Sequence, residues 1–82
     1  MMNKVFYILL EDKVVLSKKE YADWREIQKE YFESYKANLG PWTFDELISY
    51  LEDDFVDEKN WPFKKDTIRD FFSSSDLVLY EE

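Results

Sequence analysis

Apolar residues recur along the chain in two patterns, and the continuous one predicts strands. Residues 5–10 are apolar throughout and rich in β-forming side chains, which predicts a central strand covered on both faces. A polar turn at 11–13 leads into the apolar residues 14–16, so these two runs predict a hairpin. Near the end of the chain, residues 77–80 predict a last strand that returns to the same sheet.

The second pattern, with apolar residues three or four positions apart, predicts a long first helix. Ser17 and Glu20 stand three residues apart, as the cap and the third residue of a capping box do. We therefore expect a helix over about residues 18–39, ended by Gly40 and Pro41, which together form a strong stop signal. Its apolar face comprises Tyr21, Trp24, Ile27, Tyr31, Tyr35 and Leu39.

A second capping box, Thr43 with Glu46, predicts another helix over about residues 44–56. After a loop at 57–61, Pro62 at an early helical position predicts a third, short helix near 62–73. Three helices thus separate the hairpin from the last strand. The apolar face of the second helix comprises Phe44, Leu47, Ile48, Leu51 and Phe55.

The element order is therefore β-β-α-α-α-β, which predicts an α+β fold. We expect one domain over residues 1–82, built on a three-stranded, mainly antiparallel sheet with the helices packed on one face. The chain contains no Cys and no His, so neither a disulfide nor a structural zinc site is expected to stabilise it. Because 20% of its residues are aromatic, the packing of large side chains takes that role.

Charge is divided unequally between the two halves of the chain. Residues 1–39 hold seven acidic and seven basic residues, whereas residues 40–82 hold twelve acidic and four basic residues and carry the whole net charge of −8. Within the second half, positions 45–58 contain seven acids and no base. On the predicted second helix, carboxylates one turn apart lie about 6 Å from each other, within the Debye length of about 8–10 Å at moderate salt. Their fields therefore add, along an outward face that also carries Tyr50.

Residue types needed for catalysis and for cofactor binding are scarce. Without His or Cys, the chain lacks the usual general bases, nucleophiles and soft metal ligands. A single glycine cannot build a phosphate-binding loop, and the acids at 52–58 lack the central glycine of a calcium-binding EF-hand loop. We therefore predict no catalytic residues, no metal site and no cofactor.

Direct contact with nucleic acid or with a membrane is also disfavoured. Phosphate contacts need clustered Lys and Arg, but the basic pairs at 18–19 and 64–65 are isolated and flanked by acids. No apolar stretch reaches the roughly 20 residues that span a bilayer, and the apolar run near the start is too short for a signal peptide. We therefore expect a cytoplasmic protein, in the host cytoplasm if a phage encodes it.

In size, acidity, absence of Cys and the acidic run at 45–58, the chain resembles the small DNA-mimicking inhibitor proteins of bacteriophages. These proteins share a charge pattern but no common fold, so the resemblance concerns overall character and transfers no residues. It implies an inhibitor, active in host takeover, that blocks a basic nucleic-acid-binding protein such as a nucleoid protein, a restriction enzyme or a CRISPR nuclease. The partner-binding residues predicted from the charge pattern are Asp45, Glu46, Tyr50, Glu52, Asp53, Asp54, Asp57 and Glu58.

Three alternative interpretations remain open at this point. In the first, the acidic face serves only to keep the protein in solution. The second is an immunity or antitoxin protein that neutralises a basic nuclease by the same electrostatics. The third is a small adaptor or homodimer joined through an uncovered face of the sheet, because the strand at 5–10 is apolar on both sides.

Overall fold

The structure, a computed structural model, describes residues 4–81, and these form a four-stranded antiparallel sheet with three α-helices. A short 3-10 turn, Glu58–Asn60, connects the second and third helices. The strand order in the sheet is β3-β1-β2-β4. The elements in chain order are β1 (Val5–Leu10), β2 (Val14–Ser17), α1 (Trp24–Glu30), β3 (Tyr35–Trp42), α2 (Phe44–Asp54), α3 (Lys65–Ser73) and β4 (Val78–Tyr80).

The strands predicted from continuous apolar runs are confirmed. β1 and β2 form the expected antiparallel hairpin, with Ile8 opposite Val15, and β4 returns to pair with β2. β1 also pairs with β3 on its other side, so it is a central strand. Its alternate side chains are buried on opposite faces of the sheet, which explains why all six of its residues are apolar.

The predicted helix over residues 18–39 is wrong. α1 covers only seven residues, and its cap is Asp23, whose side chain accepts a hydrogen bond from the Arg25 backbone at 2.9 Å. Ser17, the expected cap, is instead the fully buried last residue of β2. The later part of the predicted helix forms β3, because its apolar residues also fit the two-residue alternation of a strand and because β1 needs a neighbour on its second edge.

The sheet consequently has four strands rather than three, and the expected stop signal lies inside β3. Gly40 has a φ of +94°, and a Cβ there would meet the carbonyl oxygen of Val5 at 2.9 Å. Between the pairs Val5–Trp42 and Tyr7–Leu39, β3 contains one residue more than β1, which is the geometry of a β-bulge. Gly40 therefore permits a bulge against β1 and does not end a helix. The peptide bond that follows it is cis.

Helices cover both faces of the sheet, so the expectation that they pack on one face is also wrong. α2 and α3 pack on the face that carries Tyr7 and Leu16, whereas α1 places Ile27 on the opposite face, against Ile8 and Val15. The reason is again the apolar character of β1 on both sides, because each face needs its own cover. The uncovered apolar face on which the homodimer interpretation depended is therefore occupied by α1.

The second and third helices are confirmed with adjusted bounds. α2 ends two residues before the predicted position, and α3 begins at Lys65, three residues after the predicted start. Lys18 ties the sheet to the C-terminal end of α3. Its Nζ donates hydrogen bonds to the carbonyl oxygens of Phe71 at 2.7 Å and Ser74 at 2.8 Å. The ammonium group of Lys18, which directly follows β2, therefore satisfies carbonyl groups at the end of α3, a helix that has no basic residue in its own last turn.

Candidate protein-binding face

The backbone of α2 is fixed in place by its cap and by its apolar side. The Thr43 hydroxyl accepts a hydrogen bond from the Glu46 backbone at 3.3 Å, and the Glu46 carboxylate accepts one from the Thr43 backbone at 2.9 Å. This is the capping box that the sequence predicts. Leu47, Ile48 and Leu51 are buried in the main core, so the opposite side of the helix is held outward on a rigid element.

Five carboxylates occupy the outward side of α2, and all five are exposed. We call this set the α2 acidic face. At about 100° per residue, its members spread over the exposed half of the helix surface rather than along one line. They form one group at the start of the helix and one at its end, and the gap between the two groups is about 9 Å along the axis. The members are Asp45, Glu46, Glu52, Asp53 and Asp54.

No base in the described part of the chain forms an ion pair with the α2 acidic face. The two ion pairs found within residues 4–81 join Lys19 to Glu30 and Arg69 to Asp66. The pKa of Glu46 is lowered chiefly by its hydrogen bonds with Thr43 and to a smaller extent by the charge of Lys4. Within residues 4–81, the negative charge of the face therefore has no ion-pair partner and is presented to solvent.

The structure separates Asp57 and Glu58 from the other predicted site residues. Both follow the end of α2, and the Asp57 side chain caps the 3-10 turn by accepting from the Lys59 backbone at 3.0 Å. Both also line a groove of about 550 Å³ whose other walls include Lys59, Lys64 and Lys65. Because three lysines surround it, this part of the predicted site has a mixed charge, and the sequence run 45–58 overstates the extent of the acidic surface.

Two acids at the C-terminal end of α2 stand where a helix disfavours negative charge. Asp53 and Asp54 occupy the last turn, which contains no basic residue. The carbonyl groups at that end carry a partial negative charge, so each carboxylate there costs about 0.3–1 kcal/mol at low salt. Asp45 and Glu46 lie at the favourable end. Helix stability therefore explains the first group of acids but not Asp53, whereas Asp54 accepts a hydrogen bond from Tyr50 on the same helix.

Tyr50 joins the α2 acidic face to an aromatic cluster on the sheet. Its hydroxyl donates to Asp54 Oδ2 at 3.2 Å, and its ring lies 4.9 Å from that of Trp42 and 5.3 Å from that of Tyr7, between centroids. Trp42 and Tyr50 are both partly exposed. The pKa of Tyr50 is raised by burial first and then by the charge of Asp54. The sequence singles out Tyr50 but gives no signal that Tyr7, from β1, lies beside it.

The described residues offer little for other kinds of site. Within residues 4–81, no three His, Cys, Asp or Glu side chains are grouped so as to hold a metal ion. None of the helices in that range has the length and apolar composition needed to cross a bilayer. In comparisons with known proteins, no family model, curated protein or solved structure matches the chain.

Proposed function

We propose that the chain binds a basic surface of another protein through the α2 acidic face and thereby competes with nucleic acid for that surface. The observation that carries the proposal is the set of five exposed carboxylates on one rigid helix, without an ion pair to any described base. In this view the protein is a DNA-mimicking inhibitor of a nucleic-acid-binding protein. Charge on the partner would supply the neutralisation that residues 4–81 do not provide.

The density of charge along α2 supports mimicry of a nucleic acid strand. The helix has 11 residues and a length of about 16 Å, so its five carboxylates average about one per 3 Å. Phosphates along one strand of B-DNA advance about 3.4 Å each along the axis. A protein surface that neutralises phosphates with Lys and Arg would therefore meet a similar total charge over the same length, held as one group at each end of the helix and not at regular intervals.

The rigidity of α2 favours such competition over a merely solubilising role. The capping box and the buried apolar side fix the helix, so the carboxylates lose little further freedom when a partner binds. Asp53 stands at the unfavourable end of the helix dipole, so its position reduces stability. Charges needed only for solubility could stand anywhere on the surface without that cost.

A gel-shift competition with matched charge variants tests the proposal. The target is a purified basic nucleoid protein bound to duplex DNA, and the competitors are the wild-type chain and two double variants. Glu52→Lys with Asp53→Lys alters the α2 acidic face, whereas Glu11→Lys with Asp12→Lys alters exposed acids in the β1–β2 turn. Each double variant changes the net charge from −8 to −4, so total charge is matched.

We expect the wild type and the β1–β2 turn variant to displace DNA at similar concentrations. The α2 variant should displace DNA only at a concentration about tenfold higher or more, because two attractive contacts become repulsive. Displacement by the wild type should also weaken steeply as salt rises. If both double variants lose the ability to displace DNA to the same extent, net charge alone explains the displacement, and a binding role for α2 is contradicted.

A further inference from the structure

An aromatic cluster borders the C-terminal group of acids on α2, and we call it the Tyr7 cluster: Tyr7, Trp42, Tyr50 and Asp54. Its three rings come from β1, β3 and α2, and their centroids lie 4.9–6.2 Å apart. The Asp54 carboxylate lies at its edge, accepting the hydrogen bond from Tyr50. Because Trp42 and Tyr50 are partly exposed, the cluster combines apolar ring surface with a negative charge at one place on the protein.

Tyr7 forms the buried base of this cluster. Its side chain is only 1% exposed and belongs to the main core. The Tyr7 ring lies 5.3 Å from that of Tyr50 and 6.2 Å from that of Trp42, between centroids, and burial is the main cause that raises the pKa of Tyr7. Tyr7 therefore supports the partly exposed rings of Trp42 and Tyr50 from the core side.

Among residues 4–81, no cationic side chain lies over a ring of the Tyr7 cluster. Elsewhere in the described chain, cationic side chains lie over aromatic rings at four places, and none of these involves a ring of the Tyr7 cluster. The four pairs are Lys13 over Tyr80, Lys18 over Phe71, Arg25 over Trp24 and Arg69 over Phe44. Aromatic rings with an adjacent carboxylate form a favourable place for a cation, and no side chain among residues 4–81 takes it.

Resting on the function proposed above, we infer that the Tyr7 cluster takes an arginine side chain of the basic partner. The guanidinium would lie against the exposed ring surface of Trp42 and Tyr50 and donate to the Asp54 carboxylate. The other acids of α2 attract any positive charge, whereas this place selects one side chain by its shape. The partner surface is therefore one that presents Arg, and not only Lys, opposite the C-terminal end of α2.

Arginine fits this arrangement better than lysine does. Its guanidinium is planar, stacks on aromatic rings, is weakly hydrated and donates two parallel hydrogen bonds to one carboxylate. A lysine ammonium is a compact, strongly hydrated charge, so it loses more hydration when it approaches a ring. A cation over an exposed ring raises the affinity by about two- to fivefold, and by more where water is excluded.

Binding of two peptides of equal charge, octa-arginine and octa-lysine, tests the inference. Affinities of each peptide are measured by calorimetry for the wild type and for single variants of the full chain. Asp54→Asn removes the carboxylate of the Tyr7 cluster, and Glu52→Gln removes one charge from the opposite flank of the same helix as a matched control. Tyr50→Leu removes a ring of the cluster while keeping an apolar side chain against the core. Thermal unfolding of each variant confirms that it is folded.

We expect the wild type to bind octa-arginine about three- to tenfold more tightly than octa-lysine. Asp54→Asn and Tyr50→Leu should bring this ratio close to one, whereas Glu52→Gln should weaken both peptides alike and preserve the ratio. A wild-type ratio of one, or a ratio that Glu52→Gln lowers as much as Asp54→Asn does, would overturn the arginine site but leave the electrostatic proposal intact. Failure of both peptides to bind would overturn the two together.

Discussion

Replacing Asp53 by Lys should make the protein more stable, although the same residue belongs to the face that we propose binds a partner. Asp53 is exposed in the last turn of α2, where no basic residue is present and where the helix carbonyls carry a partial negative charge. Its carboxylate forms no ion pair with a described base. The substitution therefore removes an unfavourable charge, adds a favourable one and breaks no side-chain hydrogen bond or ion pair within residues 4–81.

The magnitude follows from the position of the residue on the helix. Removing a carboxylate from the C-terminal turn and adding an ammonium there each contribute about 0.3–1 kcal/mol at low salt, so the free energy of unfolding should rise by about 1 kcal/mol. Lys is also a slightly better helix former than Asp. For a domain of this size, about 1 kcal/mol corresponds to a rise in Tm of about 4–8 °C.

Asp45→Lys is the matched control, because it makes the same change at the opposite end of the same helix. Asp45 is exposed in the first turn, where a negative charge is favourable, so this variant should lose about 1 kcal/mol. Both single variants change the net charge from −8 to −6, and general repulsion therefore cancels in the comparison. Urea unfolding at low and high salt measures the difference, which should be about 2 kcal/mol and should shrink as salt rises.

Two results would refute this reasoning. If Asp53→Lys lowers the free energy of unfolding, the Asp53 carboxylate makes a stabilising contact and does not destabilise α2. If both variants change stability equally, the helix dipole does not distinguish the two groups of acids. The first result would remove the reason for attributing the C-terminal acids to function rather than to stability.

Three further predictions concern the contacts that hold the fold together. Lys18→Met should lower the free energy of unfolding by about 2 kcal/mol, because it removes two charge-assisted hydrogen bonds to the end of α3. The control Lys19→Met removes an exposed ion pair and should cost less than about 1 kcal/mol, so equal losses in urea unfolding would contradict the prediction. Gly40→Ala should cost about 2 kcal/mol, because its φ of +94° and the 2.9 Å approach to a backbone oxygen leave no room for a Cβ, and an unchanged Tm would contradict it. Partial burial raises the pKa of the Glu30 carboxyl, but hydrogen bonds from Lys19 and Tyr21 outweigh that effect and lower the pKa. The stability that these hydrogen bonds contribute is therefore present above about pH 4.5 and is lost as the pH falls through the lowered pKa. Glu30→Gln should make the unfolding free energy less dependent on pH in that acidic range, and an unchanged dependence would count against the assigned hydrogen bonds.

Local signals in the sequence located the elements whose boundaries depend on local contacts. The capping box of Thr43 and Glu46 predicts where α2 begins, because the hydrogen bonds that define it join residues three positions apart. The continuous apolar run at 5–10 predicts a central strand, because burial on both faces imposes that composition directly. The exposure of the α2 carboxylates follows from the position of the apolar side of the same helix.

Features that depend on distant contacts could not be predicted in this way. The spacing of Tyr31, Tyr35 and Leu39 fits a helix and a strand equally well, and the unfilled edge of β1 decides between them. Glycine ends many helices, but Gly40 permits a bulge against Val5, which lies 35 positions earlier. Lys59 directly follows Glu58 in the sequence, but only the fold brings Lys64 and Lys65 to the same groove, so the mixed charge around Asp57 and Glu58 is only partly visible in the sequence.

The most direct test of the central claim is to map the contact surface by NMR. Amide shifts of the isotopically labelled chain are recorded while a purified basic nucleoid protein is added at moderate salt. We predict that the perturbed amides concentrate on α2, residues 44–54, and on its neighbour Trp42, and that they recover when salt is raised. Perturbations centred on α1 and the electrically neutral first half of the chain, or a complex that high salt does not weaken, would contradict the account.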